Sequence, residues 1–276
     1  MTIRRRTISI GAAVAFSAVG LAGCATSNQV PSQSPSQSPT QSLSPTAANP
    51  AALSGTITVF AASSLKGTFT KLGAAFEAAN PGTRIVFSFA ASSALATQIT
   101  SGAPADVFAA ASTATMATVV SAGLASNPVT FAKNTMEIAV PPKNPAGIAM
   151  MADLAKSGVK VALCQVAVPC GSTAAKVFKA AKITVTPVTL EPDVKSVLGK
   201  VELGEVDAGV VYVTDVLAAG SKVLGITIPS SVNATTTYPI ATLSTSSNLA
   251  LAQAFAAYVE SADGQAVLTA AGFAGP

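Results

Sequence analysis

The sequence predicts an α/β fold built from two similar halves, and three observations carry that expectation. Beyond residue 50, short β-rich runs alternate with stretches of helical period. The spacing leaves room for helical crossovers, so the strands should run mainly parallel in sheets covered by helices on both faces. Half of the chain is apolar and only 5% aromatic, and 226 residues follow that point, enough for one large domain or two of about a hundred residues each.

The elements follow in order. "TITVFA" is a β-rich run, and Leu65, Phe69, Leu72 and Phe76 then share one helical face until "NPG" stops it. "RIVFSFA" alternates Ile85, Phe87 and Phe89 as a second strand. A helix through Leu95 and Ile99 ends at Gly102, "ADVFAAA" makes a third strand, and residues 113–122 a third helix. A second series opens at "TMEIAVPP". There "KVALC" reads as a strand, "GSTAAKVFKAA" as a helix, and "PDVKSVLGKVELG" as a helix with Val194, Val197, Leu198 and Val201 inward. "VDAGVVYV" is a buried strand, "TDVLAAG" a short helix and "YPIATLS" a strand. The helix "NLALAQAFAAYVES" carries Leu249, Ala252, Phe255 and Val259 on one stripe. Periodicity does not assign the final helices to either half.

The N-terminus reads as export machinery. Arg4, Arg5 and Arg6 precede the apolar run "TISIGAAVAFSAVGLA", which closes in "LAGC". That is a secretory signal over residues 1–23 ending in a lipobox, with Cys24 as the lipidated first residue of the exported protein. Losing its arginines leaves 13 basic against 12 acidic residues. The lysines are scattered singly, so no nucleic-acid partner is expected. Residues 24–54, with "PSQSPSQSPTQSLSP", hold too little apolar surface to offset their ordering entropy and read as a tether. Cys164 and Cys170 remain as an even pair in an oxidising compartment, where a disulfide is expected.

The chemistry is bounded by what is missing. The chain has no histidine, which excludes a Ser–His–Asp triad and most zinc sites. No Gly-rich phosphate loop appears. Two strand-to-helix junctions carry paired serines instead: Ser63 and Ser64 in "AASSL", Ser92 and Ser93 in "AASSAL". Such hydroxyls either cap their helices or join the free N–H groups of a helix start in binding an anion. A nucleophilic serine with Lys66 as base is the enzymatic reading, disfavoured because Lys66 would be solvated. Asp106 and Asp207 read as turn or capping residues. Tyr212 taken alone reads as a packing residue.

The ordered blocks "ITVFAASSL", "SFAASSALATQITSGAPADVF" and "AGVVYVTD" together resemble the periplasmic molybdate-binding proteins of ABC importers, from Gly55 almost to the end, and "AVPCGS" and "EPDVKS" match further positions of that family. The resemblance implies the type II periplasmic-binding-protein fold, two α/β lobes on a two-stranded hinge. Lobe I would take residues 55–134 and 236–276, lobe II residues 135–235, with crossings near "NTMEIAV" and "TTTYPIA". It implies no catalysis and no cofactor. The ligand would be molybdate or tungstate, the partner an ABC permease, the membrane contact the lipid anchor, and the protein a monomer. Its ligand set falls on the hydroxyls of Ser64, Ser92 and Tyr212 and on the backbone N–H groups of Cys170 and Val194, with Ser63 and Ser93 as neighbours. These would hold molybdenum only through its oxygens. Cys170 stands where the family often has a small residue, which need not remove a main-chain donor. The alternatives are a binder of another oxyanion such as sulfate, a serine hydrolase, or a purely structural surface protein.

Overall fold

The computed structural model describes residues 52–276. The expected signal segment, the lipidated Cys24 and the tether up to residue 51 lie outside the described residues. The strands are β1 Gly55–Ala62, β2 Thr83–Ala90, β3 Val107–Ala109, β4 Val129–Val140, β5 Val161–Cys164, β6 Thr189–Glu191, β7 Ala208–Tyr212, β8 Leu224–Thr227 and β9 Thr235–Thr242. The helices are α1 Lys66–Ala79, α2 Ser92–Thr100, α3 Thr113–Ser121, α4 Pro169–Ala181, α5 Val194–Glu202, α6 Val213–Ala219, α7 Leu249–Glu260 and α8 Ala262–Ala270.

The strands form one continuous path, β2-β1-β3-β9-β4-β7-β5-β6, with β8 added alongside β4. β1 pairs in parallel with β2 and β3, and β5 in parallel with β6 and β7. Between these two parallel groups run the antiparallel strands β4 and β9. Val129–Thr135 of β4 pairs with Ile240–Thr235 of β9, and Met136–Ala139 then pairs with β7. A twelve-residue strand can do this because it is long enough to leave one group of strands and enter the other. Asn233 ties that crossing down: its amide donates to Met136 O at 2.8 Å and its carbonyl accepts from Met136 N at 3.1 Å.

Burial follows the periodicities. Phe69, Leu72 and Phe76 recur three to four residues apart and are buried on one face of α1. They pack with Ile57, Val59, Phe255 and Val259 in a core that includes α7 and α8. The closing helices therefore return to the first group of strands. Leu95, Ile99, Met116 and Val119 fill the opposite face of that sheet. A separate core holds Ile138, Val161, Val177, Val197, Val201 and Val211. Leu249 departs from its expected stripe and is exposed, since it is the first residue of α7 and projects before the buried face begins. The three- and four-residue strands β6 and β8 and the helix α8 were not anticipated, because each is too short or too weakly periodic to show a pattern. Among the described residues, no helix is long and apolar enough to cross a membrane.

Candidate functional site

Five strand-to-helix junctions converge on one small cleft. β1 ends at Ala62 and turns through a 3₁₀ segment, Ser63–Leu65, into α1; β2 ends at Ala90 and enters α2 at Ser92. Facing them are the N-terminal turns of α4 and α5 and the last residue of β7, Tyr212. The cleft thus lies at the carboxyl ends of parallel strands, where open α/β sheets expose helix N-termini to a ligand. Its empty space, open mouth included, is only about 210 Å³. Ser63, Ser64, Ser92, Cys170, Val194 and Tyr212 all line it. Ser93 does not: it is half-buried beside the cleft, and its carbonyl accepts from the Thr97 hydroxyl at 3.0 Å.

The capping reading of the serines does not hold. The N-cap positions are Ala62 and Ala91, and neither helix start has a side-chain cap. The serines sit one and two residues further in, and the hydroxyls of Ser64 and Ser92 are committed elsewhere. Ser92 Oγ accepts the Ala111 N–H at 2.8 Å. Ser64 Oγ lies 3.0 Å from the hydroxyl of Tyr238 on β9. Lys66 is exposed, as expected.

The backbone donors arise from local sequence. Pro169 opens α4 without an N–H, and Val168 supplies no side-chain cap, so Cys170 carries the first orphan donor of that helix. Cys170 is bonded to Cys164, with a Cα–Cα distance of 5.8 Å, as the cysteine count predicted. The six-residue loop folds back so closely that a Cβ on Gly171 would lie 2.0 Å from Gln165 O. Only glycine fits there. On α5 the N-cap Asp193 accepts from the N–H groups of Lys195 (2.7 Å) and Ser196 (3.2 Å). That leaves the N–H of Val194, the residue between, as the uncapped donor on the cleft wall.

A scan against protein families matches residues 57–274 to the bacterial extracellular solute-binding proteins. The molybdate-binding proteins ModA of Mycobacterium tuberculosis and Mycobacterium bovis are 43% identical over 270 residues, covering 98% of this chain and 98% of theirs. The chain belongs to the ModA family of bacterial extracellular solute-binding proteins. Among solved structures, the Azotobacter vinelandii periplasmic molybdate-binding protein superposes with a TM-score of 0.70 at 20% identity, over 80% of this chain and 99% of that one. The sulfate-binding protein SubI of Mycobacterium tuberculosis gives 0.72 at 19% identity, over 79% and 86%. Both likenesses show the fold, the two-lobed periplasmic-binding-protein architecture. The ModA family is a family of solute-binding proteins and not of enzymes.

Electrostatics in this ModA-family cleft come from neutral groups. No lysine or arginine lines it, and the one carboxylate on its wall, Asp193, is occupied by helix N–H groups. Tyr212 is buried; the Thr173 and Thr236 hydroxyls lie near its own, but neither makes an aligned hydrogen bond to it. Burial first, then the neighbouring Tyr238 and Asp215, hold its pKa well above the ordinary tyrosine value, so the phenol keeps its proton. Behind it, fully buried Asp215 accepts the Tyr212 N–H at 3.2 Å, and Lys195 Nζ lies 2.7 Å from its other oxygen. Burial raises the Asp215 pKa, and Lys195 opposes the rise. Asp106 and Asp207 lie off the cleft, but neither caps a helix or closes a local turn: each accepts a backbone N–H from a distant segment, Thr58 (2.7 Å) and Lys160 (2.8 Å).

Sequence reasoning passed over Tyr238 and Asn134. Both sit on the crossing strands, and both are buried polar groups linking the cleft to those strands. The alternation of Thr236, Tyr238 and Ile240 in "TTTYPIA" was the available sign that the Tyr238 ring turns inward.

Proposed function

We propose that this chain captures molybdate or tungstate in the cleft and delivers it to an ABC permease, with no catalysis. The observation that carries the reading is the partnerless buried hydroxyl of Tyr212, facing two serine hydroxyls across a cleft with no cationic side chain. A buried hydroxyl left without a partner costs roughly 1–3 kcal/mol, and an anion that accepts from it removes that penalty. The ligand set is Ser64, Ser92 and Tyr212 through hydroxyls and Cys170 and Val194 through N–H groups, with Ser63 beside them and Ser93 outside. Helix N-termini add their positive partial charge. A dianion is tolerated in such a place only when it is fully hydrogen-bonded. Donors without acceptors also reject a protonated anion, whose own hydrogen finds no partner.

The reading extends to the whole molecule. Residues 55–134 and 236–276 form lobe I, residues 135–235 lobe II, and β4 with β9 the hinge about which the lobes close. A lipidated Cys24 holds a monomer at the outer face of the membrane through the Ser/Pro/Gln-rich tether. Cys24→Ala should release the protein from the cell surface, and retention would count against the anchor. The ligand is tested by calorimetric titration of the soluble domain with molybdate, tungstate, sulfate and phosphate. Molybdate and tungstate should bind far more tightly than the other two. Molybdate binding no tighter than sulfate would overturn the reading in favour of a general oxyanion binder.

A further inference from the structure

We infer that Tyr238 is a positioning residue: its hydroxyl donates to Ser64 Oγ and so turns the Ser64 hydrogen into the cleft. The inference rests on the proposed anion site and concerns how one of its donors is aimed.

The 3.0 Å contact between Ser64 Oγ and Tyr238 Oη allows either oxygen to donate. What surrounds the two groups decides between them. Tyr238 is fully buried on β9, enclosed by the rings of Phe131, Tyr212 and Phe273 at centroid distances of 6.2, 6.2 and 5.3 Å. The nearby polar side chain is Asn134, whose carbonyl oxygen already accepts the Thr135 N–H at 3.0 Å and whose amide nitrogen donates to Thr214 at 2.8 Å. Asn134 acts on the phenol as a donor, and its carbonyl oxygen is turned to the Thr135 N–H. If Ser64 donated, the Tyr238 hydrogen would be left without an acceptor, because the one hydrogen bond of that hydroxyl among the described residues is to Ser64, at a cost of roughly 1–3 kcal/mol. With Tyr238 donating, its hydrogen is satisfied and the Ser64 hydrogen points to the cleft that Ser64 lines.

Ser64 thereby matches Ser92, whose oxygen accepts the Ala111 N–H and whose hydrogen is likewise left for the cleft. Tyr238 thus sets the hydrogen-bond polarity of the site from a strand of the crossing pair, 174 residues away in sequence. Without it, Ser64 Oγ would expose an accepting lone pair, and the cleft would lose part of its discrimination against protonated anions.

A double-mutant cycle tests this, with sodium molybdate titrated calorimetrically into the parent chain, Tyr238→Phe, Ser64→Ala and the double variant. Tyr238→Phe should weaken binding about 5- to 30-fold. On the Ser64→Ala background it should add almost nothing, because it acts through Ser64. Full additivity would overturn the inference, as would unchanged affinity in Tyr238→Phe. Unchanged affinity in Ser64→Ala would instead overturn the site itself, so the two failures are distinct. Inorganic phosphate, protonated near neutrality, should compete relatively better against sulfate in Tyr238→Phe than in the parent. An unchanged phosphate-to-sulfate ratio would show that Tyr238 does not set the polarity. Should Tyr238→Phe fail to fold, the slowly exchanging tyrosine hydroxyl protons of the parent chain serve instead. One of them should shift or vanish in Ser64→Ala, and its indifference would overturn the inference.

Discussion

The two paired-serine junctions are nearly the same in sequence, "AASSL" and "AASSAL", yet they use different serines and are held differently. In the second, the first serine, Ser92, faces the cleft and is fixed by a backbone N–H 19 residues away, from Ala111 in the same half of the sheet. In the first, the second serine, Ser64, makes the cross-chain contact, and its partner is a side chain on β9, 174 residues away. The cause is the backbone that follows. A 3₁₀ turn precedes α1 and rotates the second hydroxyl inward, whereas α2 begins directly at Ser92. One donor is therefore set by local folding alone. The other depends on the crossing strands being in place, so it is the one that hinge movement can disturb.

The largest effect should come from the locally fixed junction. Ser92→Ala removes a ligand hydroxyl and also strands the buried Ala111 N–H. Molybdate affinity should fall by about 1–3 kcal/mol, and unfolding stability by a similar amount. Calorimetry and chemical denaturation measure the two separately. A loss of affinity with untouched stability would mean that Ala111 finds another partner. Ser64→Ala should weaken binding in the same range, and because it strands the buried Tyr238 hydroxyl its stability loss should fall in that range too. Lost stability in Ser92→Ala with none in Ser64→Ala would show that the long-range contact to Tyr238 is not made.

That contrast shows which parts of the molecule were legible in the sequence. The strands and helices were, because Phe69, Leu72 and Phe76, or Val194, Val197, Leu198 and Val201, repeat at the period of the element they bury. The positions of Ser64, Ser92, Cys170, Val194 and Tyr212 were legible through a resemblance to known motifs, and they line one cleft. The hydroxyl directions were not. They depend on Ala111, brought to Ser92 by the pairing of β1 with β2 and β3, and on Tyr238, brought to Ser64 by the further pairing of β3 with β9. No local pattern encodes a contact of that kind. Leu249 failed for the opposite reason: the stripe was right and the helix began too late for its first residue to join it.

Tyr212 sharpens the comparison because its hydroxyl makes no aligned hydrogen bond. Tyr212→Phe should lower affinity by about 1–2 kcal/mol while raising the stability of the ligand-free protein by up to about 1 kcal/mol, since a buried orphan is removed. Thermal unfolding without and with molybdate reads both. A variant that loses stability as well as affinity would show that this hydroxyl already has a structural bond. A smaller change is expected at the N–H donors. Reducing the Cys164–Cys170 bridge frees the loop packed on Gly171 and should weaken binding several-fold, while removing about 2 kcal/mol of stability. Unchanged affinity after proven reduction would confine the bridge to a stabilising role.

The smallest expected effect is none, and it tests whether the phenols behave as neutral donors. Tyr212 and Tyr238 are both fully buried, and burial is the largest cause raising each pKa above the ordinary tyrosine value of about 10. The sign follows from the form that each pKa favours. A raised folded-state pKa keeps the protonated phenol, so its contribution is complete below the unfolded value. It is lost only as pH rises through the higher folded value. Between about pH 7 and about pH 9 neither phenol should ionise, and molybdate itself stays a dianion, so affinity should be level across that window. A decline beginning below about pH 9 would mean that a phenolate forms in the cleft. It would replace a donor with a negative charge and mark the tyrosine side, rather than Ser92, as the weaker wall of the site.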